Sequence, residues 1–385
     1  MSPNPPTRLS VAVVHDWLVT WRGGENVLAQ VVDLLPSADL YALVDFLPPA
    51  TRALLHGKRA RTSFLQRVPL ARRHFRMLLP LFPRAVESLD VAGHDIVVSI
   101  SHAVAKNVRV AEHQRHVCYC LTPMRYAWDL RDQYLSSVGA SSGPRRRIAD
   151  RLLDRLQSWD REASDRVHAF IAISHYVADR IKRAYGRDAE VVYPPVDVDY
   201  FQPPADEGSR DYYLTASRWV PYKRIDAIVA AFGALPDRRL IVAGDGPDAA
   251  RIRRAAGGNV QFVGEVDRSR LRALMQGARA FLFAAEEDFG IVPLEAQACG
   301  IPVIALGRGG ALETIRTDTE SPTGLFFHEQ DPGEIAGAVR AFEEARPSFS
   351  ADACRRNALR FSAARFRAQF LERLMPIAMP AHEAG

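Results

Sequence analysis

The chain has 385 residues, 48% of them hydrophobic and 25% charged, with a formal net charge of +5. This length exceeds one ordinary hydrophobic core, so two domains are expected, and the composition is typical of a soluble globular protein. No apolar run approaches the roughly 20 residues of a membrane span, and the amino terminus lacks the apolar core of a signal peptide. The four cysteines show no metal-ligand spacing and are expected to be reduced thiols in a cytoplasmic protein.

In the first half of the chain, short apolar runs typical of buried parallel strands alternate with helical patterns. The strands are predicted at residues 9–15, 38–44, 94–101, 117–121, 168–174 and 190–193. Gly23 and Gly24 follow the first strand and lead into a helix predicted over residues 26–35. Paired glycines there let a phosphate or a sugar approach the backbone, although a tight turn also explains them.

Two segments of the first half are rich in charge. Residues 67–84 are cationic and strongly apolar, with three prolines that prevent one long helix. They fit either a surface that lies on an anionic membrane or a pair of short helices packed against the domain. Residues 145–167 are predicted to form one amphipathic helix with a solvated charged face. No basic segment matches a known nucleic-acid-binding module, so no nucleic-acid partner is expected.

Four prolines between residues 193 and 205 indicate an extended linker, after which the alternation of strands and helices resumes. Strands are predicted at residues 212–216, 239–243, 260–263, 280–285, 301–306 and 325–327. The pattern predicts an α/β protein with two doubly wound, Rossmann-like domains that face each other across a cleft. We place the first domain at residues 1–195, the linker at 196–205 and the second domain at 206–350.

The loop after the first strand of the second domain, SRWVPYKRID, carries Arg218 and Lys223 at the carboxyl edge of the sheet. Cations oppose the dipole of a helix amino terminus, so their presence there needs a reason. A pyrophosphate supplies one, because cationic donors stabilise the negative charge that develops on a departing phosphate. Gly244 follows the next strand, and Val263 and Gly264 end the one after it; a structural turn explains these positions as well as a nearby nucleotide does.

The most informative stretch, residues 280–306, is predicted to be a strand, an acidic turn, a helix and a second strand. Glu287 precedes the helix and Glu295 lies inside it; paired carboxylate acceptors suit the vicinal hydroxyls of a sugar or a ribose. The amides of Phe289, Gly290 and Ile291 lie at the helix amino terminus, where an anion is favoured. Helix capping by the acidic residues is the simpler alternative. Hydroxyl acceptors and phosphate donors in one loop predict a nucleotide-sugar site.

The spacing from Glu287 to Glu295 resembles the E-x7-E signature of retaining glycosyltransferases of family 4, which have the GT-B architecture. The strings GGE, YPPVD and SRWVPYKRID resemble the same family, so the resemblance spans almost the whole chain. It implies a donor site built from Gly23, Gly24, Arg218, Lys223, Gly244, Val263, Gly264, Glu287, Phe289, Gly290, Ile291 and Glu295. Arg218 and Lys223 would clamp the donor phosphates in place of a divalent metal, so neither a metal nor another cofactor is expected. The resemblance also implies that residues 351–385 pack back on the first domain.

The segments HDIVVSISHAVAK and CYCLTPMRYAWDL resemble bacterial mannosyltransferases of cell-surface polysaccharide synthesis. This implies GDP-mannose as the donor, a lipid-linked or glycolipid acceptor, and a place in the cytoplasm or on the inner face of the cytoplasmic membrane. UDP-sugar enzymes share most of these motifs, so a UDP-sugar donor stays open. A non-hydrolysing epimerase of the same architecture is disfavoured by SRWVPYKRID and by the glutamate spacing. A dinucleotide oxidoreductase is disfavoured because no G-x-G-x-x-G follows the first strand.

One position departs from the family's pattern. Many relatives carry a histidine beneath the transferred sugar where this chain has Leu121, and leucine can neither donate nor accept a hydrogen bond. His15 and His102 lie at other predicted strand ends of the same domain. The expected catalytic residues are Glu287, Arg218, Lys223 and His102. The departure leaves open a protein that binds a nucleotide sugar but has lost transfer.

Overall fold

The computed structural model describes residues 9–129, 131, 132, 135, 139, 142–205, 210–317 and 319–378. The chain divides into two compact units, each built on its own parallel sheet. The first unit comprises the described residues up to Pro194 and those from Phe366 onward, and the second comprises Pro195–Arg365. The predicted α/β class is confirmed, because helices form the crossovers between parallel strands in both units.

The first unit contains a seven-stranded parallel sheet with the order β3-β2-β1-β4-β5-β6-β7. Its strands are β1 Val11–His15, β2 Asp39–Ala42, β3 Arg61–Thr62, β4 Ile96–Ser101, β5 Arg115–Cys120, β6 Ala169–Ala172 and β7 Ala189–Val191. Its described helices are α1 Gly23–Leu34, α2 Pro49–Arg52, α3 Ala71–His74, α4 Phe82–Glu87, α5 Arg125–Trp128, α6 Gly143–Ala163 and α7 His175–Tyr185. The central strands are mostly apolar, as is typical of parallel sheets covered on both faces, and every residue of β4 is buried, its two serines included.

The second unit contains a six-stranded parallel sheet with the order β10-β9-β8-β11-β12-β13. Its strands are β8 Tyr212–Ala216, β9 Arg239–Ala243, β10 Val260–Gly264, β11 Ala278–Phe283, β12 Val303–Leu306 and β13 Gly324–Phe327. Its helices are α8 Ile225–Ala231, α9 Ala249–Arg254, α10 Arg268–Gln276, α11 Ile291–Ala298, α12 Ala311–Thr314, α13 Pro332–Ala345 and α14 Ala351–Leu359. The last helix, α15 Ala363–Ala378, begins in this unit and ends in the first.

The strand order reverses at one place in each sheet. Val13 of β1 pairs with Leu40 of β2 on one side and with Val98 of β4 on the other. In the second sheet, β8 likewise lies between β9 and β11. The loops that follow β1 and β4 therefore lie side by side, as do those after β8 and β11. Open α/β sheets bind ligands at such reversals, beyond the carboxyl ends of the strands.

The cationic and apolar segment of the first unit folds into short helical turns around α3 and α4. Its aromatic residues Phe75 and Phe82 are buried and pack on Trp17, with ring centroids 5.2 and 5.9 Å away. Leu70 and Met77 instead face solvent, with 74% and 75% of their surface exposed. The segment is thus anchored in the domain, as one of the two predicted arrangements requires, and it also presents apolar side chains outward.

Several elements differ from the sequence-based expectations. Helix α1 begins at Gly23, so both glycines lie in its first turn and not before it. Strand β3 and the helices α2, α5, α7, α9 and α12 were not predicted. Residues 351–385 were expected to pack on the first domain, but their described part forms two helices: α14 packs against α11 of the second unit, whereas Phe366 in α15 packs on Tyr119 of the first at 5.7 Å.

No helix in the described ranges combines the length and the apolar character that crossing a bilayer requires.

Candidate active site

The loop after β8 places the two predicted cations at the carboxyl edge of the second sheet. Its last residues, Pro221–Lys223, form one 3₁₀ turn before α8. Lys223 forms an ion pair with Glu287, in the loop that follows β11. Arg218 is exposed, and its guanidinium has no hydrogen bond or ion pair with the described part of the chain. One cation is therefore neutralised by a site carboxylate, while the other is open to an anion.

The turn after β9 packs against this loop. The amide of Trp219 donates to the carbonyl oxygen of Asp245 at 2.9 Å, and the Trp219 side chain is fully buried. A Cβ added to Gly244 would lie 1.9 Å from the carbonyl oxygen of Ser217, so only glycine permits this approach. Loop packing therefore explains Gly244 by itself, and its position beside a nucleotide stays a prediction.

The acidic turn is held in a similar way by glycines that the sequence analysis did not single out. The amide of Gly310, after β12, donates to the carbonyl oxygen of Glu287 at 2.8 Å. A Cβ on Gly310 would lie 2.4 Å from the Cα of Phe289, and one on Gly309 would lie 2.5 Å from the Glu287 carbonyl oxygen. The only sequence signal for this role is the run RGG at the end of a predicted strand.

Helix α11 starts as predicted at Ile291, directly after Gly290. Gly290 has φ +90°, a left-handed conformation that favours glycine. The ring of Phe289 is buried and lies 5.6 Å from that of Phe361, so this residue can offer a ligand only its backbone. The first amides of a helix have no intrahelical acceptors, which keeps the predicted anion site at Phe289, Gly290 and Ile291 chemically reasonable.

Glu295 lies on α11 and is half-buried. Its carboxyl group has no hydrogen bond or ion pair with the described residues. Burial raises its pKa to about 8, against the attraction of Arg268. The group is thus largely protonated at neutral pH, and a neutral carboxyl can both donate to and accept from a hydroxyl of a ribose.

Val263 and Gly264 end β10, as predicted. Gly264 has φ +70°, and its carbonyl oxygen accepts a hydrogen bond from the Gly244 amide at 2.7 Å. A Cβ on Gly264 would meet nothing within 4 Å, so the backbone borders open space. An open backbone edge of this kind is compatible with the nucleobase contact that the family resemblance implies.

In the first unit, Asp16 organises the loops that follow β1 and β4. It is fully buried, and its carboxylate accepts hydrogen bonds from the amides of residues 102–105 at 2.6–3.0 Å. It also lies 3.0 Å from Nδ1 of His102, whose side chain is 28% exposed. Burial raises the pKa of Asp16, but the nearby imidazoles of His102 and His15 and the hydrogen bonds outweigh this and lower it to about 2. The ionised Asp16 fixes His102 at the strand end, where the sequence predicts it.

The structure places Leu121 beside Gly24. A Cβ on Gly24 would lie 3.0 Å from Cδ1 of Leu121 and 3.8 Å from Cε1 of His15. His15 is buried; its Nδ1 lies 3.1 Å from the carbonyl oxygen of Ile100, and its Nε2 has no hydrogen bond within the described residues. Glu25 lies in the first turn of α1, and its carboxylate accepts a hydrogen bond from the amide of the N-cap residue Arg22 at 2.8 Å. The glycine loop is therefore shaped by packing and capping, and Leu121 contributes only apolar surface to it.

The predicted residues fall into two groups. The first unit carries Gly23, Gly24 and His102, and the second carries the remaining members of the predicted set. In the second unit, the structure brings Lys223 and Glu287 into contact, although 64 positions separate them in the sequence. Residues without a predicted role also shape these loops, among them Asp16, Gly309, Gly310 and Gln330.

Family models match nearly the whole chain. The model described as Glycosyltransferase Family 4 matches residues 21–200, and the one described as Glycosyl transferases group 1 matches residues 199–360. The two sheets, the site loops and these matches agree with one another. The chain belongs to glycosyltransferase family 4, with the GT-B fold.

Curated relatives are similar over part of their length. A GDP-mannose-dependent monoacylated alpha-(1-6)-phosphatidylinositol monomannoside mannosyltransferase of Corynebacterium glutamicum is 33% identical over 205 residues, covering 46% of this chain and 53% of the relative. A D-inositol 3-phosphate glycosyltransferase 2 of Catenulispora acidiphila is 34% identical over 215 residues, covering 48% and 49%. The chain spans about half the length of the curated relatives that it matches.

Solved structures share the fold over the whole chain. Anabaena HepE in complex with UDP and glucose has a TM-score of 0.67 at 19% identity, covering 96% of this chain and 100% of that one. Sucrose-phosphate synthase from Thermosynechococcus elongatus has a TM-score of 0.71 at 18% identity, covering 97% and 100%. At these identities the similarity concerns the fold alone.

Proposed function

We propose that this protein is a retaining glycosyltransferase that moves a hexose from a nucleotide sugar to an acceptor of cell-envelope polysaccharide or glycolipid synthesis. The observation that carries the proposal is the arrangement after β8 and β11: Lys223 paired with Glu287, beside an exposed Arg218 without a partner in the described chain. A donor needs cations for its diphosphate and acceptors for its sugar hydroxyls, and these loops supply both.

In the proposed reaction, the donor's diphosphate binds Arg218 and takes Lys223 from its pair with Glu287. Negative charge grows on the leaving phosphate as the glycosidic bond breaks, and fixed cations stabilise that charge without reorganisation. The freed Glu287 then accepts hydrogen bonds from the sugar. We propose that the two cations do the work of a divalent metal, so that transfer continues in the presence of a chelator.

On the acceptor side, the candidate polar group is His102, held by Asp16. Its Nδ1 lies 3.0 Å from the Asp16 carboxylate, which orients the ring. Transfer with retention and without a covalent intermediate lets the departing phosphate oxygen take the proton of the acceptor hydroxyl. His102 would then hold a substrate hydroxyl in place, a task for which Leu121 has no polar atom.

For the donor, we propose GDP-mannose. The support is the similarity to relatives whose names state GDP-mannose dependence and mannosyl transfer. A UDP-sugar is the alternative donor. For the acceptor, the same names support a lipid-linked or glycolipid molecule.

A transfer assay tests the proposal. Purified protein is incubated with GDP-mannose and a lipid extract, and the released GDP and the mannosylated lipid are measured. We expect Glu287→Ala to abolish most transfer but to keep GDP affinity, because it also frees Lys223. We expect Lys223→Ala to lose both the transfer activity and the affinity for GDP. Lys182→Ala removes an exposed ion pair with Asp188 and is the matched control.

A protein that binds nucleotide sugars but no longer transfers them is the second candidate, which the apolar Leu121 favours. Slow hydrolysis of the donor without acceptor would support the enzyme. GDP-mannose binding with no turnover under any of these conditions would support the second candidate.

We also propose a peripheral association with an anionic membrane through the segment around α3. Leu70 and Met77 face solvent there, and Arg67, Arg72 and Arg73 are exposed around them. Apolar side chains surrounded by arginines suit the interface of an anionic bilayer. We expect the double variant Leu70→Ser, Met77→Ser to reduce sedimentation with phosphatidylglycerol vesicles. Leu312→Ser, at a position 57% exposed in the second unit, should leave sedimentation unchanged.

A further inference from the structure

A glutamine outside the predicted site joins two of its loops. Gln330 lies between β13 and α13, and its Nε2 donates to the carbonyl oxygen of Ala284 at 2.7 Å. Ala284 is the first residue after β11, at the start of the acidic turn. The Oε1 of Gln330 accepts from Nη1 of Arg224 at 3.4 Å. The carboxamide therefore connects the loop of Glu287 with the loop of Lys223.

Arg224 has an unusual backbone. It follows Lys223 directly and has φ +51°, and in the described ranges only His56 and Leu70 share a positive φ among non-glycine residues. A left-handed conformation is costly for a residue with a Cβ, so surrounding contacts must hold it. The conformation ends the 3₁₀ turn that contains Lys223 and starts α8, so it determines how that turn joins the helix.

The contacts of Arg224 continue to a third loop. Its Nε lies 3.5 Å from Oδ1 of Asp226, and Oδ2 of Asp226 pairs with Arg251 at 2.7 Å. Arg251 also pairs with Asp248, in the turn after β9, at 2.9 Å. The polar contacts from Gln330 to Asp248 thus connect the loops after β8, β9 and β13 at the carboxyl edge of the sheet.

Neither Lys223 nor Glu287 is fixed by regular secondary structure beyond one short turn. We propose that Gln330, acting through Arg224 and Ala284, is a positioning residue that sets the separation between Lys223 and Glu287. This inference rests on the proposed function. Its bonds go to a backbone oxygen and to Arg224, so they persist whether Lys223 pairs with Glu287 or with a diphosphate.

Glutamine suits this position because it offers one donor and one acceptor. Gln330→Glu keeps an acceptor for Arg224 but loses the donor to Ala284, and it places a carboxylate against a carbonyl oxygen. Gln330→Leu loses both bonds at nearly constant length. Arg224→Asn removes the guanidinium and keeps a residue that tolerates a left-handed backbone.

The test is calorimetric titration of the full chain with GDP and with UDP, together with the unfolding midpoint of each variant. We expect Gln330→Leu to weaken binding about tenfold or more, because the loops of Lys223 and Glu287 lose the connection that pre-organises them for the diphosphate. Arg224→Asn should weaken it similarly, and the double variant should be no weaker than either single variant, because both act through one connection. Gln276→Leu is the matched control: that carboxamide donates to the carbonyl oxygen of Gln202 at 2.8 Å, in a helix outside these loops.

Three results would overturn the inference. Unchanged affinity in Gln330→Leu, with normal binding by the wild type, contradicts the positioning role alone. Additive losses in the double variant contradict a shared connection. A wild-type protein that binds neither GDP nor UDP contradicts the proposed function and this inference with it.

Discussion

At the scale of single residues, the net charge of the proposed donor site depends on which charged side chains are paired. Lys223 and Glu287 neutralise each other, Arg218 faces solvent, and Glu295 is half-buried without a partner in the described chain. Burial disfavours the charged form of Glu295, whose pKa is raised to about 8. A neutral Glu295 leaves the clamp with a net positive charge, which favours a diphosphate.

The ionisation of Glu295 predicts a dependence of stability on pH. The folded state holds this proton to a higher pH than the unfolded state, so stability falls as the pH rises from about 4.5 to 8. Glu295→Gln removes that loss. We therefore expect the free energy of unfolding of the variant to rise relative to that of the wild type as the pH increases through this window. Urea unfolding at pH 5, 7 and 9 measures the difference. A difference that does not change with pH would contradict the raised pKa.

For Asp16 we predict the opposite dependence of stability on pH. Its pKa is lowered to about 2, so its contribution is present at neutral pH and is lost only as the pH falls below about 4. We expect Asp16→Asn to cost about 2 kcal/mol or more at pH 7, and the cost to shrink below pH 4. Asp188→Asn, at an exposed position, is the control for unfolding measured over the same range. An equal cost at every pH would show that charge is not the cause.

At the scale of elements, the loops of the second unit are held by close backbone contacts. The loop after β12 lies directly against the acidic turn, and the turn after β9 lies against the cationic loop. These approaches are short enough to exclude a Cβ. Glycines at the strand ends therefore fix the geometry of the charged residues, which themselves lie in irregular backbone.

A pair of glycine substitutions tests this account. Gly310→Ala would place a Cβ 2.4 Å from the Cα of Phe289, so we expect a loss of roughly 1–3 kcal/mol and weaker nucleotide binding. Gly337 lies inside α13 with nothing within 4 Å of an added Cβ. Gly337→Ala should therefore stabilise the protein by about 0.5–1 kcal/mol and leave binding unchanged. Equal effects of the two substitutions on nucleotide affinity would contradict the role assigned to Gly310.

The sequence predicted the elements better than their contacts. Short apolar runs located most of the buried strands, and the glycine and acidic signals located the turn before α11. The meeting of Lys223 with Glu287 depends on the order of strands in the sheet, which alternation alone does not specify. The roles of Asp16 and Gln330 were missed because hydrogen bonds to distant backbone leave no local pattern. The edge strand β3 was missed because it has only two residues, too few to form a recognisable pattern.

At the scale of the whole molecule, two parallel sheets divide the chemistry. The second unit carries the cations and carboxylates proposed for the donor, and the first carries His102, Asp16 and the exposed apolar surface around α3. Lys223 and Glu287 follow β8 and β11, and Asp16 and His102 follow β1 and β4, so both groups of polar residues lie where their own sheet reverses strand order. The family membership and the independent geometry of the two edges thus support the same assignment of a glycosyltransferase.

The most direct test of the nucleotide-sugar site is thermal unfolding of the wild type in EDTA with GDP-mannose, GDP, UDP-glucose, UDP-N-acetylglucosamine or ADP-glucose. A ligand at one hundred times its dissociation constant adds about 2.7 kcal/mol to the folded state. In a protein of this size, that raises the midpoint by about 2–4 °C or less. We expect GDP and GDP-mannose to raise it without metal. A rise with UDP ligands alone would support the proposed site but contradict GDP-mannose as the donor. No rise with any ligand would contradict the nucleotide-sugar site itself.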